Sequence, residues 1–84
     1  MLLVSKSHKL LRFSGQEVIK ILVKYFGFES VRQKGSHVVL RKFLNGRKIT
    51  TIIPLQQEIK TGTLMGILEL AEIRKEEFLE KAQK

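Results

Sequence analysis

Apolar positions in the first third of the chain follow a helical period. Between residues 14 and 26 they recur every three or four residues, at Val18, Ile19, Leu22, Val23 and Phe26. Ser14 and Glu17 have the spacing of a capping box, in which each side chain bonds the other residue's backbone at the start of a helix. Gly27 then supplies the positive φ that commonly ends a helix. We therefore expect a helix near residues 14–26.

From Phe28 the period changes to two, which is typical of β-strands, and we expect strands near residues 28–33, 37–43 and 48–53. Asn45-Gly46 stands between the second and third strands and favours a type I′ hairpin turn. This turn predicts the cross-strand pairs Leu44–Arg47, Leu40–Thr51, Val38–Ile53 and His37–Pro54. A two-residue turn at Gly35-Ser36 predicts two further pairs, Lys34–His37 and Val31–Leu40.

These pairings divide the side chains between the two faces of the sheet, because alternate residues of a strand point in opposite directions. One face is mostly apolar and suits a covering layer of helices: Val31, Val38, Leu40, Ile49, Thr51 and Ile53. The opposite face is mostly basic: Arg32, Lys34, His37, Arg41 and Lys48, with Val39 and Ile52 among them. A lone histidine among four cations makes this second face the place to look for chemistry.

After Pro54 a second helical stripe predicts another helix, with Thr63 as its N-cap; the stripe is Leu64, Ile67, Leu68 and Ala71. Residues 75–82 are expected to form a short last helix, anchored by Phe78 and Leu79. The order helix, three antiparallel strands, helix predicts an α+β fold with the helices on one face of a small sheet. A chain of 84 residues has room for one such domain, over residues 1–84.

The net charge of +8 changes this picture, because it is concentrated in the middle of the chain. Residues 30–57 contain no Asp or Glu but six basic residues: Arg32, Lys34, Arg41, Lys42, Arg47 and Lys48. A surface built only for solubility normally mixes both signs. A patch of one sign attracts polyanions and releases their counterions. Nucleic acid is therefore the favoured partner, ahead of an anionic membrane or an acidic protein.

Composition excludes several other classes. The apolar run Met1–Val4 and the other apolar runs are far shorter than the ~20 residues that span a bilayer, and Lys6, Lys9 and Arg12 interrupt the N-terminus before a signal sequence can develop. The chain has no cysteine, which excludes disulfides and thiolate zinc sites. Its two histidines and scattered glutamates suggest no metal cluster. We expect a cytoplasmic protein with no membrane contact and no metal or other cofactor.

A set of short motifs then occurs in a definite order: Ser14–Lys20 (SGQEVIK), Gly27-Phe28, Arg32–His37 (RQKGSH), Pro54, Gly62-Thr63-Leu64 and Ile67-Leu68. Together, and over residues 14 to about 80, they resemble the HicA family of toxin–antitoxin ribonucleases. Residues 1–13 are then an N-terminal extension. The resemblance implies a fold like the double-stranded RNA-binding domain, ribosome-independent cleavage of messenger RNA, and neutralisation by a HicB-like antitoxin that covers the active face.

In that family the histidine of the Gly-Ser-His motif is catalytic, so the resemblance assigns catalysis to His37. RNA cleavage without a metal needs one group to take the proton from the ribose 2′-OH and another to protonate the leaving oxygen. Histidine suits both tasks because it titrates near neutral pH. Lys34 and Arg41 are expected to stabilise charge on the phosphorane. The RNA-binding candidates are Arg32, Lys34, Ser36, Arg41, Lys42 and Lys48.

Ser36 is expected to shape the turn and to offer its hydroxyl or a backbone N–H to a phosphate. A role as nucleophile is disfavoured, because no acidic residue follows to orient the imidazole. The chain also departs from the family pattern in two places. Gln56 stands where many members have a second histidine, and Met65 stands where a basic residue is common. The extension contains His8, to which the sequence assigns no role.

Three alternatives stay open. The first is a module that binds structured RNA without cutting it, and such a module does not need His37. The second is a protein-interaction domain whose basic face docks an acidic partner, which predicts no salt-sensitive affinity for RNA. The third is a metal-dependent nuclease, which the lack of a carboxylate pair near the basic patch disfavours.

Overall fold

The structure, a computed structural model, describes residues 12–83. Within this range the elements follow in the order α1 (Gly15–Phe26), β1 (Glu29–Lys34), β2 (His37–Leu44), β3 (Arg47–Pro54), α2 (Thr61–Ala71) and α3 (Lys75–Ala82). The strands form one antiparallel sheet in the order β1-β2-β3. The predicted α+β fold, with the element order of a double-stranded RNA-binding domain, is confirmed.

Helix α1 begins and ends where its local sequence predicts. The Ser14 hydroxyl accepts a hydrogen bond from the backbone N–H of Glu17 at 3.1 Å, and the Glu17 carboxylate accepts one from the N–H of Ser14 at 2.9 Å. Gly27 ends the helix with a φ of 77°. Val18 and Leu22 are fully buried, and Ile19 and Phe26 are partly buried against the core. Val23, predicted on the same stripe, is 42% exposed instead, so only part of the stripe faces the core.

The β2–β3 hairpin also has the predicted register. Asn45 and Gly46 both have positive φ, at 54° and 76°, as a type I′ turn requires. The pairs run without interruption from Leu44–Arg47 to His37–Pro54. Alternation along both strands is therefore regular, and it fixes which face each side chain occupies.

Strand β1 departs from the prediction at one residue. Lys34 lies opposite His37 as expected, but Leu40 lies opposite Ser30, because Val31 is the extra residue of a β-bulge. The predicted pairing of Val31 with Leu40 is wrong, and Val31 is exposed instead of contributing to the core. The bulge also shifts Glu29 by one position, so that it lies opposite Arg41.

Helix α2 covers β3. The buried hydroxyl of Thr51 donates a hydrogen bond to the carbonyl of Ile67 at 2.9 Å. The helix begins two residues before the predicted N-cap: Leu64 N–H already bonds to the carbonyl of Lys60, so Thr63 lies inside the first turn. The prediction of Thr63 as N-cap is therefore wrong. Its predicted stripe is nevertheless buried: Leu64, Ile67, Leu68 and Ala71.

Helix α3 closes the core from the side. Phe78 is fully buried and meets the ring of Phe13 edge-on, with 5.1 Å between ring centroids. Phe13 also forms a β-bridge with Ile59. Although the sequence places Phe13 in the N-terminal extension, it is a core residue. Residues 1–11 of that extension, which include His8, lie outside the described residues.

Candidate functional site

His37 is held at the start of the central strand. It follows the Gly35-Ser36 turn and lies between Lys34 on β1 and Pro54 on β3. The carbonyl of Ser36 accepts a hydrogen bond from Leu55 N–H at 2.7 Å, and the carbonyl of Gly35 accepts one from the Gln33 side chain at 3.0 Å. The backbone just before the histidine is therefore fixed by these two hydrogen bonds, while the imidazole is exposed to solvent.

The sheet face away from the helices, called the open face below, carries the side chains that alternation predicts: Arg32, Lys34, His37, Arg41 and Lys48. Two apolar residues lie on the same face: Val39, which lies opposite Arg32 and is half-buried, and Ile52, which lies opposite Val39 and is 47% exposed. Ser36 lies in the turn beside His37 and is exposed. Four cations, one histidine and two apolar side chains therefore share one surface.

Two further residues of the open face were missed in the sequence. Glu29 forms an ion pair with Arg41, at 2.8 Å between Oε2 and Nη2. It lies just before residues 30–57, which contain no Asp or Glu, and only the bulge in β1 places it opposite Arg41. Phe43, next but one after Arg41 on β2, is 60% exposed. The alternation that placed His37 would also have placed Phe43 on this face.

Arg41 is the most constrained cation of the open face. Besides its ion pair with Glu29, its guanidinium lies 5.2 Å from the centroid of the Phe43 ring. Its Nε is buried and has no hydrogen-bond partner among residues 12–83. A phosphate that approached Arg41 would therefore compete with Glu29. Within the same residues, Arg32, Lys34 and Lys48 form no ion pair.

Lys42 lies on the other face of the sheet, among the helices. Its ammonium group donates a hydrogen bond to the carbonyl of Phe26 at 3.0 Å and stands 5.1 Å from the centroid of the Phe28 ring. A cation at this position stabilises the carboxyl end of α1. The structure thus separates Lys42 from the other five RNA-binding candidates.

The start of α1 packs against the strand end that lies beside His37. Gly15 N–H donates to the carbonyl of Gln56 at 2.8 Å. A Cβ atom at Gly15 would overlap the carbonyl oxygen of Pro54, so only glycine allows this approach. Gln56 itself is exposed, and Met65 is an exposed residue of α2, the helix on the covered side.

The described residues contain no group of three or more His, Cys, Asp or Glu side chains that is able to hold a metal ion. Among them, no helix is long and apolar enough to cross a membrane.

The comparison with protein families agrees with this architecture. The family described as HicA toxin of bacterial toxin–antitoxin systems matches residues 15–73, which is more than half of the chain. The chain belongs to the HicA toxin family. The match runs from the first residue of α1 to Ile73, beyond α2, and so includes the whole open face. This HicA toxin is therefore one half of a toxin–antitoxin pair. Comparisons with curated proteins and with solved structures gave no match.

Proposed function

We propose that this HicA toxin is a metal-independent endoribonuclease that cuts messenger RNA on its open face, with His37 as the catalytic residue. The observation that carries the proposal is the position of His37. It is an exposed titratable group on the central strand of an otherwise cationic face, with Lys34 directly opposite. Polyanion binding and proton transfer therefore have their side chains on the same surface.

The chemistry follows from the RNA itself. The ribose 2′-oxygen attacks the neighbouring phosphorus and loses its proton to the imidazole of His37, acting as general base. The bond from phosphorus to the 5′-oxygen then breaks, and that oxygen takes up a proton from the imidazolium of His37 or from water. The products are a 2′,3′-cyclic phosphate and a 5′-hydroxyl. Histidine suits either transfer because it titrates near neutral pH.

Charge on the phosphorane needs nearby cations, since each non-bridging oxygen is most negative in the transition state. Lys34 is the best candidate for this role, because it lies opposite His37 and has no ion-pair partner within residues 12–83. Arg41 is paired with Glu29 through Nη2, so its charge is partly offset and it is the weaker candidate for this role. Arg32 and Lys48 extend the cationic surface along which the rest of the RNA strand lies. Ser36 offers a hydroxyl beside the histidine.

The test compares wild type, His37→Ala and Lys20→Ala on a single-stranded messenger RNA fragment in EDTA. Lys20 is an exposed lysine of α1, on the helical side, and serves as the matched control. We expect His37→Ala to lose cleavage by at least about 100-fold, the usual contribution of a general acid or base, and to keep its affinity for RNA. Lys20→Ala should cut like wild type.

Three results would contradict the proposal. Cleavage by His37→Ala at the wild-type rate would remove the catalytic assignment. Loss of wild-type cleavage in EDTA would indicate a metal-dependent enzyme. RNA binding without cleavage by wild type would make the domain a binding module.

The antitoxin partner is proposed to be a HicB-like protein that covers the open face. Acidic side chains on that partner would pair with Arg32 and Lys34, which form no ion pairs within the described residues. The partner would then exclude RNA. Competition between purified antitoxin and labelled RNA for His37→Ala measures this directly, and simultaneous binding of both would contradict it.

A further inference from the structure

Phe43 is unusual on the open face because it is a large apolar side chain with little cover. It is 60% exposed, whereas the aromatic residues of the core, Phe13, Phe28 and Phe78, are 7% exposed or less. The pairing of β2 with β3 is uninterrupted, so Phe43 lies on the same face as His37. An exposed aromatic ring on a basic surface is a typical platform for a nucleic-acid base.

A path for one RNA strand connects the two residues. His37 and Phe43 are six residues apart on β2, which corresponds to about 20 Å at the rise of a β-strand. Val39 and Arg41 lie between them on β2, with Ile52 and Thr50 opposite on β3. Of these four, only Arg41 is charged, and it is paired with Glu29. At the ~3.4 Å rise of a stacked strand, this distance corresponds to at most about six nucleotides.

The surroundings of the ring fit a nucleotide. Lys48 lies directly opposite Phe43 on β3 and forms no ion pair within residues 12–83, so it is available to a backbone phosphate. Arg41 stands 5.2 Å from the ring centroid and is itself tied to Glu29. The guanidinium lies on one side of the ring, and Phe43 as a whole stays 60% exposed, so a base is able to reach it.

We propose that Phe43, together with Arg41 and Lys48, is a base-stacking subsite for the RNA strand that is cut at His37. The inference rests on the proposed ribonuclease function and adds a substrate class to it. A stacking ring needs an unpaired base with an open π-face. In a duplex each base is paired and covered by its neighbours, so the subsite selects single-stranded RNA.

Binding is tested in His37→Ala proteins, so that the RNA is not cut during the measurement. Phe43→Ala should bind a single-stranded RNA on the order of tenfold more weakly, since stacking on one aromatic side chain contributes that much or more per base. Phe43→Trp should keep the affinity. Leu44→Ala is the matched control, because Leu44 is the next residue, 45% exposed, and points to the other face. Affinity for a duplex of the same sequence should change little in all three.

Cleavage is then measured with His37 present. Phe43→Ala should raise KM for single-stranded RNA and leave kcat nearly unchanged, because Phe43 lies far from the reacting atoms. Single bases are then removed from the RNA, one position at a time on both sides of the cut. At one position the abasic RNA should raise KM for the wild-type enzyme as much as Phe43→Ala does. With the base at that position removed, Phe43→Ala should raise KM no further, because the ring then has no base to stack on.

Several outcomes would overturn the subsite. Equal binding by the His37→Ala protein with and without Phe43→Ala would do so, and so would equal losses with Phe43→Ala and with Leu44→Ala. If Phe43→Ala weakened only the antitoxin complex, Phe43 would belong to that interface instead. Failure of the ribonuclease proposal is distinguishable, because it appears as a wild type that binds RNA without cutting it.

Discussion

At Gly15 the start of α1 packs closely against the strand end beside His37. Its N–H bonds to the carbonyl of Gln56, and a Cβ atom there would overlap the carbonyl oxygen of Pro54 and lie 3.0 Å from the Cα of Leu55. All of these partners are backbone atoms, which are unable to swing aside as a flexible side chain does. Because Gly15 has no Cβ atom, α1 is able to pack against Pro54, the residue that pairs with His37.

We expect Gly15→Ala to lower the free energy of unfolding by about 1–3 kcal/mol, the usual cost of overpacking. The loss should appear although alanine is the better helix former by roughly 1 kcal/mol. Gly66→Ala, inside α2, is the control, because a Cβ atom there meets nothing within 4 Å and should stabilise the protein slightly. Urea unfolding measures both, and a Gly15→Ala protein as stable as wild type would show that the contact is not close.

At the same scale, side-chain roles were predictable as far as alternation alone decides them. His37, Lys34 and Lys48 lie on the open face because each is an even number of residues from the other open-face residues of its own strand. The role of Lys42 was not predictable. Its partner is the carbonyl of Phe26, 16 residues away, and nothing in the local sequence indicates that contact.

Among the elements, those with a complete local signal were predicted almost to the residue. Helix α1 has its capping box and glycine, and the β2–β3 hairpin has Asn45-Gly46. The bulge at Val31 has no comparable signal, since no glycine marks it and its position depends on pairing with β2. The same holds for the candidate site. Its cations were predicted, but the Glu29–Arg41 ion pair was not, because it depends on the bulge.

An ion pair ties the hairpin to the helical layer. Arg47 at the start of β3 donates two hydrogen bonds to the carboxylate of Glu72, at 2.6 and 2.8 Å. Glu72 ends α2 with a φ of 60°, a conformation that non-glycine residues rarely adopt. The hydrogen bonds and charge of Arg47, with a smaller contribution from Lys42, lower the pKa of Glu72 although burial opposes the shift. The same contact raises the pKa of Arg47.

A lowered pKa in the folded state means that the Glu72 contribution to stability is present above the pKa of an unfolded glutamate, ~4.3. It is lost as the pH falls through the folded value. Glu72→Gln should therefore be less stable than wild type at pH 7, with a difference that shrinks toward pH 3. Thermal unfolding across this pH range measures it. Glu69→Gln, which removes a charge that forms no ion pair within the described residues, should show a much smaller trend. A constant difference at every pH would contradict the assignment.

At the scale of the whole molecule, the sheet separates two kinds of cation. Arg32, Lys34 and Lys48 point away from the helices and form no ion pairs within residues 12–83. Lys42 and Arg47 point toward the helices and are bound there, by a helix carbonyl and by Glu72. Net charge alone therefore overstates what RNA encounters, because only the first group faces the solvent without a competing partner.

The salt dependence of RNA binding tests this division. A cation that neutralises a phosphate releases counterions, so the slope of log affinity against log salt becomes shallower by roughly 0.7 for every phosphate of a single strand that is no longer neutralised. In a His37→Ala background, Lys48→Ala should reduce the slope by about this amount. Lys42→Met should leave the slope unchanged and instead lower stability, because its ammonium group caps α1. Lys20→Ala should change neither property. Equal slopes for Lys42→Met and Lys48→Ala would mean that RNA reaches both faces of the sheet, and the open face would then not be the sole binding surface.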